Sequence, residues 1–168
     1  VAQITPPAGS SPIGLPMGLE PQDVKMLFAV YRTLVLLSKS GDIYVLGYLS
    51  GALDGQGVTP GTTGTNTWQR VKINATTYLS GVKNVRGQVA GTNYNALIAE
   101  TNDGKLYTWG NSTLLGDGTG ASFRSYATEM TLPADVKSKG IKMFGVTGGI
   151  IGGSSMNTYY VLSNSGNL

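Results

Sequence analysis

The chemistry open to this chain is set by few side chains. Its acids are nine carboxylates, Glu20, Asp23, Asp42, Asp54, Glu100, Asp103, Asp117, Glu129 and Asp135, and it has neither histidine nor cysteine. Without histidine the commonest general base, the commonest zinc ligand and every Ser-His-Asp arrangement are lost. Without cysteine there are no disulfides, thiolate metal sites or thiol nucleophiles. Two carboxylates alone could still hydrolyse a glycosidic bond. No two of the nine, however, have a spacing that forces them onto one face. No catalytic residue is assigned, and the chain is expected not to be an enzyme.

Other constellations have ordinary readings. Asp54, Asp103 and Asp117 each neighbour glycine, but they lack the alternating oxygen ligands and distal glutamate of a calcium loop. Turn formation through the aspartate side chain accounts for all three. The stretch GVTGGIIGGSSM (Gly145 to Met156) lacks the Gly-Lys-Ser/Thr ending of a phosphate loop and has no helix after it. It is read as blade backbone. Asn74-Ala-Thr76 and Asn111-Ser-Thr113 match glycosylation acceptors, a pattern common by chance in so Asn- and Thr-rich a chain. No cofactor and no metal is expected.

Charged residues make up 12% of the 168 positions, about half the usual share. Solubility therefore rests on Gly, Thr, Ser and Asn, a composition common in secreted and virion proteins. The net charge of +3 comes from scattered basic residues such as Lys25, Arg32, Arg70, Lys83 and Lys142. Nucleic-acid binders concentrate such charge on one face, so nucleic acid is not expected as a partner. The most apolar run, Met26 to Ser38, is interrupted by Arg32 and is shorter than the ~20 residues of a spanning helix.

The elements that must position these residues repeat. GKLYTWGNSTLLGDG (Gly104 to Gly118) echoes GDIYVLGYLSGALDGQG (Gly41 to Gly57), and SNSGNL (Ser163 to Leu168) opens a third copy. A period of roughly 60 residues marks a repeat architecture. In each copy two β-rich runs flank a short turn whose glycine can take positive φ, the mark of a tight hairpin. Expected strands are Lys25 to Tyr31, Thr33 to Ser38 and Asp42 to Leu46, then Ala96 to Glu100 and Lys105 to Trp109, then Tyr159 to Ser163. Apolar-Lys-x-apolar openers precede them at Val24, Val82 and Ile141; Trp68 to Val71 and Thr128 to Leu132 follow the Gly-rich loops. One unit is thus a four-stranded antiparallel blade, and the expected fold is all-β: propeller blades in an incomplete ring. The approximate repeats are 24–81, 82–140 and a truncated 141–168. No long helix is expected. Residues 1–23, with Pro6, Pro7, Pro12, Pro16 and Pro21, read as an extended Pro-rich arm or linker. Part of it is expected to lie along a neighbouring surface.

The second copy carries Ala96-Leu97, Asp103-Gly104, Leu106-Tyr107, Trp109-Gly110 and Leu115-Gly116 in register. This order resembles the regulator-of-chromosome-condensation repeat family, over about Val24 to Leu168. The resemblance implies a β-propeller, typically of seven blades. The first copy departs from the pattern at Leu46, where tryptophan belongs, and at Leu53-Asp54. The family often has a Gly and a His before the Ala-Leu strand; here Asn93 to Asn95 and Asn157 to Tyr159 fill those stretches. The nucleotide-exchange activity of the founding member depends on a protruding wedge in a complete propeller. No counterpart can be placed here, so that activity is not carried over.

The repeat-signature residues Gly41, Tyr44, Gly47, Gly104, Tyr107, Trp109, Gly110, Leu115, Gly116 and Gly166 are read as structural. Tyr44, Tyr107 and Trp109 would pack between blades; Gly47 and Gly110 would admit close backbone approach. Two copies and the start of a third do not close a seven-bladed ring, so the expected partners are proteins or further blades, a homo-oligomer among them. The expected function is a non-enzymatic structural or interaction module of a virion (phage tail, fibre or exterior component) or bacterial surface assembly, extracellular in location. The alternative is an intracellular protein- or chromatin-binding scaffold, and a multi-chain glycan-binding propeller is third.

Overall fold

The structure is a computed structural model that describes residues 14–48, 53–58, 64–89, 95–111, 123–151 and 154–168. Period-two alternation builds the first sheet: in β1 (Val24–Val30), Lys25, Leu27 and Ala29 face outward while Met26, Phe28 and Val30 turn inward. With β2 (Thr33–Ser38), β3 (Ile43–Tyr48) and β4 (Gly64–Arg70) it forms an antiparallel sheet in sequential order. The second sheet repeats that order with β5 (Val82–Val89), β6 (Asn95–Thr101), β7 (Leu106–Asn111) and β8 (Phe123–Glu129). A two-stranded hairpin, β9 (Ile141–Ile151) and β10 (Ser154–Ser163), follows. The all-β blade architecture expected from the repeat is the one observed, and among the described residues no sheet closes on itself.

The blades stack face to face in chain order. Val35, Leu37, Ile43 and Val45 of the first blade meet Leu97, Ala99, Trp109 and Ala127 of the second in one apolar core. Ile98 and Leu106, on the opposite face of the second blade, meet Phe144 of the hairpin, with Tyr159 and Val161 packed alongside. Each blade therefore has a front face toward its successor and a rear face toward its predecessor. Because side chains alternate across a strand, neighbouring positions in β6 (Leu97 and Ile98) serve opposite seams.

The three hairpin turns are built alike. Ser38, Thr101 and Ser163 each donate their amide to the carbonyl four residues on, at 2.9, 3.0 and 2.8 Å. One residue later Lys39, Asn102 and Asn164 donate to the carbonyls of Asp23, Gly81 and Gly140, just ahead of each blade's first strand. The turn is thereby stapled to its own blade's entry. Gly41, Gly104 and Gly166 occupy the same left-handed position in the three turns.

Several boundaries differ from the sequence reading. Tyr31 is not in β1; it has φ 55° in the β1–β2 turn. β9 and β10 run through the Gly-rich stretch before Tyr159, because the hairpin ladder pairs backbone without regard to side chain. Pro21–Asp23 is a 3-10 turn rather than extended chain: proline suits a first helical position, and the Glu20 amide donates to Asp23 Oδ2 at 2.9 Å. A short helix, α1 (Ala134–Lys139), links the second blade to the hairpin. It closes on Gly140 and tucks Val136 into the second core. Among the described residues no helix is long and apolar enough to cross a membrane.

Candidate functional site

Asp117 lies outside the described residues; most of the other acids are tied to structure. Asp42 pairs with Arg70 at 2.5 Å, Glu100 with Lys83 at 2.8 Å and Glu129 with Lys105 at 3.2 Å. Asp103 accepts the Thr101 hydroxyl within its turn, and that hydrogen bond holds its carboxyl below the usual range. Hydrogen bonds from Ser163 and Ser165 lower Asp135 likewise, Ser165 reaching it at 3.0 Å. Asp54 is the exception: it is buried, and burial raises its pKa, opposed by the Gln56 amide. Among the described residues no group of three or more His, Cys, Asp or Glu could hold a metal.

Of the repeat-signature residues, Trp109 and Tyr107 lie at the seam between the two blades. Trp109 is fully buried, and its indole Nε1 donates to the Leu53 carbonyl of the preceding blade at 2.8 Å. A second strap crosses the same seam, where the Gly57 amide donates to Ser125 at 2.8 Å. Tyr107 packs against this core, whereas Tyr44 lies on the rear face of the first blade, against Leu36 and beside Arg70. Burial raises both phenols. Gly47 and Gly110 occupy matching strand positions, with φ 121° and 114°. A Cβ at Gly47 would stand 2.5 Å from the Arg32 carbonyl oxygen; one at Gly110 would strike that of Asn95. Neither position admits a side chain without backbone movement. Leu115 and Gly116 lie outside the described residues.

Sequence reasoning missed three participants. Gln56 bridges the loop to β4, its Nε2 donating to Asp54 O at 3.1 Å and to Arg70 O at 2.6 Å. Asn95 is fully buried with neither Oδ1 nor Nδ2 hydrogen-bonded. Trp68, half-buried on β4, donates its indole N–H to Gly14 of the arm at 2.8 Å. The first two carry no sequence signal. Trp68 shares the scarcity of Trp109, but its face follows only from strand register.

The outermost faces keep exposed apolar side chains. On the rear of the first blade Leu27 and Leu34 are 54% and 39% exposed. On the front of the hairpin Met143 is 55% exposed, and Tyr160 lies open across Gly145. These are the two halves of the seam that the chain makes internally between its blades.

Four-stranded antiparallel blades stacked in this way define a β-propeller repeat protein, and the blades have the fold of the regulator-of-chromosome-condensation-like repeat. Solved structures bear this out. The chain is similar to Prp20p from Saccharomyces cerevisiae, in a study of its binding to Gsp1p and histones, with TM-score 0.60 and 15% identity. That match covers 90% of this chain and 33% of Prp20p. Human WBSCR16 matches with TM-score 0.54 and 20% identity, over 84% of this chain and 31% of its own. Yeast RCC1 (Prp20) bound to Kap60 matches with TM-score 0.55 and 17% identity, over 91% and 33% of the two chains. The chain thus spans about a third of the length of the structures it resembles. No protein-family model matches the sequence, and no curated protein matches it.

Proposed function

We propose that this chain is a non-enzymatic protein-interaction module, a run of propeller blades that binds other proteins as a scaffold. The observation that carries the reading is the apolar side chains left exposed on the rear of the first blade and the front of the hairpin, in a molecule whose ion-paired carboxylates serve the fold. Apolar surface of this kind marks association sites. The similar structures support a protein-binding role, since Prp20p is described with Gsp1p and histones and yeast RCC1 with Kap60. They favour the intracellular protein-binding scaffold over the virion or surface assembly that composition suggested. No observation supports a glycan ligand.

A second reading, head-to-tail self-assembly, draws on the complementarity of the faces. The front of one copy's hairpin offers what the rear of another copy's first blade accepts, a heterologous contact that makes rings or filaments. Calorimetric titration against purified histones and Gsp1p, with light scattering of the chain alone, tests both readings. Saturable binding, or a defined oligomer, that is weakened by Met143→Asp or Leu34→Asp supports them. A monomer that binds none of these proteins sinks them.

A further inference from the structure

The rear face of the first blade already has an occupant. Strand register makes Leu34, Leu36, Tyr44 and Leu46 the counterparts of Leu97, Ala99, Tyr107 and Trp109 in the second blade, since Leu34 pairs with Leu46 and Leu36 with Tyr44 as Leu97 pairs with Trp109 and Ala99 with Tyr107. Tyr44 pairs with Arg70 as Tyr107 pairs with Glu129, which puts Trp68 in the place of Ala127. All of these second-blade positions face the first blade. Their first-blade counterparts face away from the second blade, yet Leu36 and Leu46 are buried and belong to neither blade–blade core.

The arm reaches this face at Trp68. Pro16 is buried, a reverse turn bonds the Leu19 amide to the Pro16 carbonyl at 3.0 Å, and the Gly14 carbonyl accepts the Trp68 indole N–H at 2.8 Å. One seam further on, the Leu53 carbonyl accepts the Trp109 indole N–H at the same distance. In both places a rear-face indole is satisfied by a backbone carbonyl from the chain segment that precedes its blade. We propose that Gly14–Leu19 is a built-in cap on this face that competes with any blade or partner docking there. This cap is partial: Leu27 and Leu34 remain open beside it. The inference requires only the blade stacking, not any particular partner.

Two measurements test it. Trp109 is fully buried, so acrylamide quenching of tryptophan emission reports mainly on Trp68. In the full chain carrying Pro16→Glu, the quenching constant should rise at least about twofold, because a buried charge dislodges the arm. A labelled peptide of residues 10–20 should bind saturably to the chain lacking residues 1–19, and not to the full chain, whose site is filled. Trp68→Phe in the shortened chain should weaken the peptide by roughly two- to tenfold, the worth of one net hydrogen bond. Unchanged quenching in Pro16→Glu, or a peptide that binds both chains alike or neither, overturns the cap. If the shortened chain does not fold, the quenching result decides alone.

Discussion

Trp109 shows what a single side chain contributes at a seam. Its ring fills the core between the blades, and its N–H satisfies a carbonyl on the other side. Trp109→Phe keeps most of the apolar volume but leaves the Leu53 carbonyl without a donor, a loss of about 1–3 kcal/mol. Chemical denaturation should show that loss as a lower midpoint with an unchanged slope. Asp54 behaves in the opposite sense. Its folded pKa is raised above the unfolded value by burial, so the folded state holds its proton more tightly. Stability is therefore lowest above the folded pKa and recovers as pH falls through it toward the unfolded value. Asp54→Asn should melt higher than the parent at neutral pH, and thermal scans should show the gap closing as the medium is acidified. A gap that widens in acid would contradict the burial account.

The hairpin turns set the scale of the element. All three share one hydrogen-bonding scheme, but their surroundings differ. A Cβ on Gly41 would lie 2.8 Å from the Val82 amide nitrogen of the next blade, whereas one on Gly104 meets nothing within 4 Å. Gly104→Ala should cost only the left-handed backbone strain, about 1 kcal/mol, and Gly41→Ala distinctly more. Equal melting shifts for the two would mean that the Gly41 contact with the next blade relaxes freely. These turns were legible in the sequence because Ser40-Gly41, Asp103-Gly104 and Ser165-Gly166 require a conformation that glycine adopts readily. The blade order followed from that repeat. What lay hidden depends on register rather than composition. The ladder through Gly145 to Met156 pairs backbone atoms, α1 is too short to show a period, and the facing of Trp68 follows only once β4 is aligned with β3. The signature residues could be found from the sequence, but which seam each one serves could not, since Leu97 and Ile98 are neighbours serving different cores.

The whole molecule is a linear stack in which each blade touches its neighbours. In such a system stability is a sum of unit and seam contributions. Phe144→Ala removes a buried ring from the second seam only, at a cost of about 3–5 kcal/mol. Hydrogen exchange should then accelerate in β9 and β10 while β1 to β4 keep their protection; uniform acceleration along the chain would point to a single cooperative unit. The staples at Asp23, Gly81 and Gly140 bear on how such a stack is made. Each joins a turn to the entry of the same blade, so a hairpin has all its bonding partners once its own first two strands exist, as β9 and β10 show. On a ribosome, where earlier segments fold first, every emerging hairpin would find a finished front face waiting. Growth is then templated from one end, each new hairpin laying its rear side chains on the front face of the blade made before it.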